Sequence, residues 1–185
     1  MTKSLKKEKT KKALEEAMAH LLEKESFNDI TTTELAKAAH ISRSGFYTHY
    51  KDKYEMIDNY QQTLFSKLEY IFDKNSSNQE GAILEVFEFL DREPLFAALL
   101  SANGTKEIQE FLKNKFRLLI THDLQVGLSI SIQNNFQNKK LTDVEREYGT
   151  IYIINALFGV CQMWIARGKV ESPKQMTEFI LKMMH

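Results

Sequence analysis

Thr31–Lys53, TTTELAKAAHISRSGFYTHYKDK, is the stretch whose reading decides the fold. Thr31 with Glu34 fits a capping box, which predicts a helix starting near Thr32. Leu35, Ala36 and Ala39 give that helix a narrow inward stripe. His40-Ile41 forms the turn, and Ser42 can cap the helix that follows. In this second helix Phe46 and Tyr50 point one way, while Arg43 with Tyr47 and Ser44 with Thr48 stack on the opposite side. A short helix with aromatics behind and polar donors in front is suited to lie against a polar surface. The helix-turn-helix has that layout, with the first residues of its second helix on base edges in the major groove. Arg43 has the reach for a bidentate pair with guanine. Ser44, Thr48 and the open backbone at Gly45 suit shorter contacts to base or phosphate.

Outward from this stretch the sequence scans as helix. Upstream, about Leu5 to Lys24, the residues Leu14, Ala17, Met18, Leu21 and Leu22 recur at three-four spacing, and Phe27 and Ile30 close the loop over the same core. The lysines at 3, 6, 7, 9, 11 and 12 are opposed only by Glu8. They fit a phosphate-contacting arm, and for Lys3–Lys7 a solvated, disordered tail fits equally. Downstream, Asp52 with Glu55 makes another capping box, opening a helix that runs to about Asp73. Asn75-Ser-Ser-Asn-Gln79 reads as a linker. Helices are expected at about Glu80–Arg92 and Pro94–Ser101, with Pro94 suited to a first turn, and from Lys106 to about Phe136. Thr142 with Glu145 caps a long helix that stops at Gly168, and Ser172-Pro173 opens the last one.

Composition narrows the class. The chain has 185 residues, enough for one or two domains, and a formal net charge of zero, which excludes an indiscriminate polyanion binder. Cys161 is the only cysteine, so no internal disulfide forms and a reducing compartment is expected. Its apolar setting reads as a small buried hydrophobe. The lysine-rich start lacks an apolar h-region, so no signal peptide is expected. Ile151–Ile165 is interrupted by Asn155 and Gln162 and falls short of the ~20 residues that span a bilayer. A soluble, cytoplasmic protein is the expectation. GxSxG, GxGxxG, phosphate-loop and HExxH patterns are missing, and the five histidines lack metal-ligand spacing. No enzyme activity, cofactor or metal is expected.

From Tyr148 to Ile165 apolar residues face every side, and a helix apolar all round must be covered all round. A symmetric partner subunit is the simplest cover, with Ile151, Ile154, Ala156 and Gly159 at the contact, and the central helix of a monomeric bundle is the alternative. Asn155 and Gln162, as buried amides, need partners. Across the body, Phe65, Phe87, Phe96, Phe111, Phe116, Tyr152, Phe158 and Met163 supply more bulk than a minimal bundle requires.

The motif residues Thr31-Thr32, Leu35-Ala36, Ala39-His40-Ile41-Ser42, Phe46-Tyr47, His49-Tyr50 and Lys53 resemble the DNA-binding domain of TetR-family transcriptional regulators over roughly Lys9–Ile57. His40 stands where that family customarily has Gly, and Gly45 where it often has Thr; a helical Gly loosens the helix by up to about 1 kcal/mol. The resemblance implies an all-α chain. Residues 1–52 would form a three-helix helix-turn-helix DNA-binding domain, and 53–185 a helical effector-binding and dimerisation domain. It implies that Thr32, Thr33, Tyr47, His49 and Lys53 hold or flank phosphates. It also implies a homodimer built on the last two helices, which brings Met176, Phe179, Ile180 and Met183 to the contact, and an apolar effector pocket, for which the aromatics above with Met163, Asn155 and Gln162 are candidates. The function expected is a repressor released from a palindromic operator by a small apolar effector. The alternatives are an activator or co-regulator whose body binds another protein, and a helical ligand carrier or enzyme with a vestigial head.

Overall fold

Helix α1 (Lys3–Leu22) buries the row Leu14, Met18 and Leu22, flanked by Ala17 and Ala19. This is the computed structural model of the chain, which describes residues 3–75, 78–104, 106, 109–110, 113–114, 117 and 142–184. Most of the helix expected from Lys106 to Phe136, Phe111 and Phe116 included, lies outside the described residues. Leu21, expected in the inward row, is half-buried, and the N-terminal lysines are helical from Lys3 onward.

After α1 the chain turns through Ser26 and Asp29, whose side chains bond at 2.6 Å, and sends Phe27 and Ile30 into the core. Each apolar side chain of that size contributes about 1.5–3 kcal/mol when fully buried. Helices α2 (Thr32–Ala38) and α3 (Arg43–Tyr47) follow, then α4 (Lys53–Lys74). The Asp52 carboxylate accepts the Glu55 N–H at 2.8 Å and so caps α4. The return bond of the expected box is shifted by one residue, because the Glu55 carboxylate takes the N–H of Lys51. Helices α5 (Gln79–Arg92) and α6 (Pro94–Leu100) meet at Glu93, and Pro94 occupies the first turn of α6, where its missing N–H costs nothing. Helices α7 (Asp143–Ala166) and α8 (Pro173–Met184) complete the described elements, all of which are helical.

The chain divides into two compact units. The first is Met1–Phe65 with Glu93–Ile108, so α6 packs on α1 beside the helix-turn-helix. Its core joins Leu14, Met18, Phe27, Leu35, Phe46, Met56, Ile57, Phe96 and Leu99. The Tyr60 hydroxyl is sealed in that core, facing Glu93 and the Phe96 backbone without reaching hydrogen-bond geometry, and burial pushes its pKa up.

The second unit is Ser66–Arg92 with Gln109–His185. There α8 packs on α5 through Met176, Thr177 and Ile180. Trp164 of α7 meets Phe87 edge-on, with ring centroids 5.3 Å apart, and donates its indole N–H to the Glu171 carbonyl at 2.8 Å. Lys169 donates to the carbonyls of Leu90 at 2.8 Å and Asp91 at 3.2 Å, satisfying the free end of α5. Thr142 and Glu145 form the expected capping box of α7. Cys161 is half-buried, and burial pushes its thiol up to about 12.

Two helices stop by the same device. At the end of α2, His40 N–H bonds to Lys37 O at 3.1 Å and Ile41 N–H to Ala36 O at 3.0 Å, a Schellman pair with His40 at φ 55°. At the end of α7, Gly168 N–H bonds to Ile165 O at 2.9 Å and Lys169 N–H to Trp164 O at 2.9 Å, with Gly168 at φ 77°. Glycine takes that conformation without the steric cost that histidine bears.

As a complete helix, α7 has 24 residues and a most apolar window of mean hydropathy 1.5, long and apolar enough by composition to cross a membrane. Within this chain α7 turns Thr150, Ile154, Phe158 and Trp164 into its own unit. Its other side leaves Tyr148, Ile151, Tyr152 and Met163 exposed.

Candidate nucleic-acid interface

The α2–α3 pair is fixed by local bonds before any ligand is considered. Thr31 donates its N–H and hydroxyl to the Glu34 carboxylate at 2.9 and 2.6 Å, and its Oγ1 accepts the Glu34 N–H at 3.2 Å. The Thr31 hydroxyl, then its N–H, hold the Glu34 carboxyl below its usual value. Ser42 Oγ accepts the Gly45 N–H at 3.0 Å and caps α3. A β-carbon at Gly45 would sit 3.1 Å from that Oγ, so the missing side chain leaves the cap its space. Phe46 is fully buried and packs against Tyr50, with centroids 5.8 Å apart. These anchors fix which face of α3 looks outward.

That face carries Arg43, Ser44, Tyr47 and Thr48, all exposed. The Arg43 guanidinium lies 5.7 Å from the Tyr47 ring centroid, with Nη2 donating to the phenol oxygen at 3.5 Å. Tyr47 therefore steers Arg43 along the helix. Ser44 Oγ lies 3.0 Å from Ser42 Oγ, and Thr48 donates its hydroxyl to Gly45 O at 2.6 Å, keeping its lone pairs outward. Thr33 is exposed at the start of α2, while Thr32, Gly45 and His49 are half-buried. His49 Nδ1 is sealed without a partner. Burial, then Lys7 and Lys11, lowers the pKa of that ring, so His49 is neutral at pH 7.

Lys53 corrects the sequence reading. Instead of facing a phosphate it is buried, at 8 % exposure, with Nζ donating to the carbonyls of Phe27, Asn28 and Ile30 at 2.7, 2.9 and 2.6 Å. Its ammonium also stands 4.9 Å from the Phe27 ring centroid and 5.5 Å from that of Tyr54. With its three protons committed, Lys53 holds the α1–α2 crossing. Two residues earlier, Lys51 is exposed, and the sequence reading had passed over it. Nothing in the pattern separates the two lysines flanking Asp52; only burial does.

The body residues divide differently from expectation. At the expected dimer contact Ile151, Ala156, Gly159, Phe179 and Met183 are exposed, whereas Ile154, Met176 and Ile180 are buried within the protomer. Those three belong to the core, because their rows on α7 and α8 face inward. Among the pocket candidates Phe65 and Phe96 are buried in the first unit, and Phe87 and Phe158 in the second. Gln162 is half-buried. Tyr152 and Met163 are 75 % and 60 % exposed, which removes them as pocket lining within this chain. Asn155, expected to be a buried amide, is exposed and donates to its own helix at Ile151 O, 2.8 Å away.

Residues 14–60 match the family described as bacterial regulatory proteins, tetR family, and residues 77–185 match the transcriptional regulator C-terminal region. A curated relative, the uncharacterized HTH-type transcriptional regulator YxbF of Bacillus subtilis (strain 168), is 23 % identical over 181 residues, which are 95 % of this chain and 44 % of that one. The chain thus spans less than half the length of that relative. Among solved structures, the dihydroxyacetone kinase operon activator DhaS superposes with a TM-score of 0.59 at 19 % identity, covering 95 % of this chain and 93 % of its own. FadR of Thermus thermophilus, a TetR-family transcriptional repressor in complex with lauroyl-CoA, does so with a TM-score of 0.53 at 18 % identity, covering 94 % and 92 %.

Proposed function

Because this chain belongs to the TetR family of bacterial regulatory proteins, we propose that it is a cytoplasmic, sequence-specific, DNA-binding transcriptional regulator acting as a homodimer. The observation that carries this reading is the outer face of α3, where Arg43, Ser44, Tyr47 and Thr48 are exposed over a buried Phe46. Arg43 would read guanine, and Ser44, Thr48 and Gly45 would take shorter contacts. Thr32, Thr33, Tyr47 and His49 would set register on phosphates, with Lys51 in place of Lys53 as the nearby cation. No catalytic role is assigned.

Dimerisation is supported by the exposed apolar residues Tyr148, Ile151, Tyr152 and Met163 on α7 and Phe179 and Met183 on α8. Two heads held about 34–36 Å apart would read a pseudo-palindrome. The repressor reading, with release by a small apolar effector, takes support from the lauroyl-CoA complex of FadR. Release requires that the effector favour the state in which the heads no longer fit. The activator DhaS supports the opposite sign of regulation on the same fold.

The test is selection of duplexes from a random pool, followed by binding titrations of an Arg43→Ala, Tyr47→Ala double variant. A loss of at least about 30-fold, from two contacts worth roughly 1–3 kcal/mol each, is expected. Undiminished, salt-insensitive binding would end the assignment. Native mass spectrometry of the protein with medium- and long-chain acyl-CoAs tests the effector, and sharing of the selected duplex with any bound acyl-CoA at equal affinity would exclude release.

A further inference from the structure

We propose that Asn103 is a positioning residue of the reading head, fastening the α1–α2 crossing from outside the helix-turn-helix. The proposal rests on the DNA-reading assignment above and names a residue that assignment does not use. α1 ends at Leu22, and the last carbonyls of a helix have no partner of their own. Asn103 Nδ2 donates to Leu22 O at 2.7 Å, across 81 residues of sequence. The backbone carbonyl of the same residue accepts the N–H of Phe27 at 2.9 Å. A single residue, three positions past the end of α6, therefore ties both the end of α1 and the loop that leads into α2.

The same loop is held from its other side. Phe27 gives its N–H to Asn103 and its carbonyl to Lys53, and Lys53 continues to Asn28 and Ile30. Ile30 immediately precedes the Thr31 cap, so these bonds decide where α2 begins. Asn103 itself is fixed by a tight turn. Ser101 Oγ donates to Ala98 O at 2.7 Å and accepts the Asn103 N–H at 3.3 Å, while Gly104 N–H bonds to Ser101 O at 3.2 Å. A β-carbon at Gly104 would fall 2.0 Å from Leu99 O, so the return of the chain onto α6 needs glycine there. The amide of Asn103 is thereby aimed at Leu22 by backbone geometry.

Aspartate at 103 has the same shape but no donor, and it sets a negative charge against the negative end of α1. Alanine loses the donor alone. A fastening role makes Asn103→Asp worse than Asn103→Ala at pH 7, with aspartate recovering past alanine as acid turns the new carboxyl into a donor. A packing role predicts the reverse order, because aspartate fills the site and alanine does not. Amide hydrogen exchange of the full chain is the first readout, with the Phe27 amide and the first amides of α2 expected to exchange about tenfold faster in the aspartate variant. Protection equal to wild type there, or a loss spread evenly over α7 and α8, overturns the proposal, as does a larger effect of alanine.

The second readout is binding to a duplex selected by the wild-type protein from a random pool. Affinity should fall about tenfold in the aspartate variant with an unchanged salt slope, since no phosphate contact is lost. A reduced slope would make Asn103 a phosphate contact and overturn the positioning role. Failure of the wild type to bind any duplex sinks the DNA-reading assignment, and the exchange experiment then decides the role of Asn103 by itself.

Discussion

The reading head and the α7–α8 pair treat apolar surface in opposite ways. In the head, every large side chain of α2 and α3 that faces inward is covered by the same chain, and the outer face is polar apart from Tyr47. Its buried Lys53 ammonium is satisfied by three backbone carbonyls. The α7–α8 pair buries one side and leaves Tyr148, Ile151, Tyr152, Met163, Phe179 and Met183 outward. The first region is completed by one chain; the second leaves an apolar face that the proposed partner subunit would cover. Polar outer faces go with a ligand exchanged against water, and apolar ones with a partner kept for good.

The strongest test of that contrast charges the apolar side. An Ile151→Glu, Phe179→Glu double variant should weaken self-association about a thousandfold, some 4 kcal/mol from two interface anchors, measured by sedimentation. The helix content of the head should be unaffected. A wild type that is monomeric at micromolar concentration would break the comparison.

Next in size is Lys53→Met. Three carbonyls lose their donor, and urea unfolding should show a loss on the order of 3 kcal/mol. Unchanged stability with a lower salt slope of DNA binding would return Lys53 to the surface role its sequence position suggests.

The two Schellman ends give a smaller and reciprocal pair. His40→Gly should stabilise the protein, and Gly168→Ala should destabilise it, each by about 1 kcal/mol, because the left-handed conformation penalises any β-carbon. Equal signs would show that the turn in the head is held by something other than backbone strain.

Smallest is an acid effect at the α2 cap. The Glu34 pKa is lowered on folding from an ordinary 4.5. Its contribution is therefore complete above that value and disappears as pH falls through the lower folded value. Amide exchange at Thr31 should rise over that range, and Glu34→Gln should remove the dependence.

Much of this was legible in the sequence, and the division follows the range of the interactions. Caps act within three residues, so Thr31 with Glu34, Ser42 with Gly45 and Thr142 with Glu145 could be read directly. Periodicity placed Phe46 inward and Arg43 outward, because α3 is apolar on one side only. On α7 the same reasoning had no purchase, since a helix apolar all round has no preferred direction. Ile154 consequently turned inward and Tyr152 and Met163 outward, against expectation, while on α8, which is apolar along one side, Met176 and Ile180 pack within their own chain. Lys53 and Asn103 were beyond reach for a further reason. Their partners lie 23 to 26 and 81 residues away and are backbone atoms, which have no residue type to recognise.

An ammonium enclosed by three carbonyls and two aromatic rings is shielded from reagents that its neighbours meet freely. Amine acylation of the native protein would mark Lys37 and Lys51 within the head and pass over Lys53. Its modification would then count the moments when the loop lets go, turning one side chain into a clock for the opening of the head.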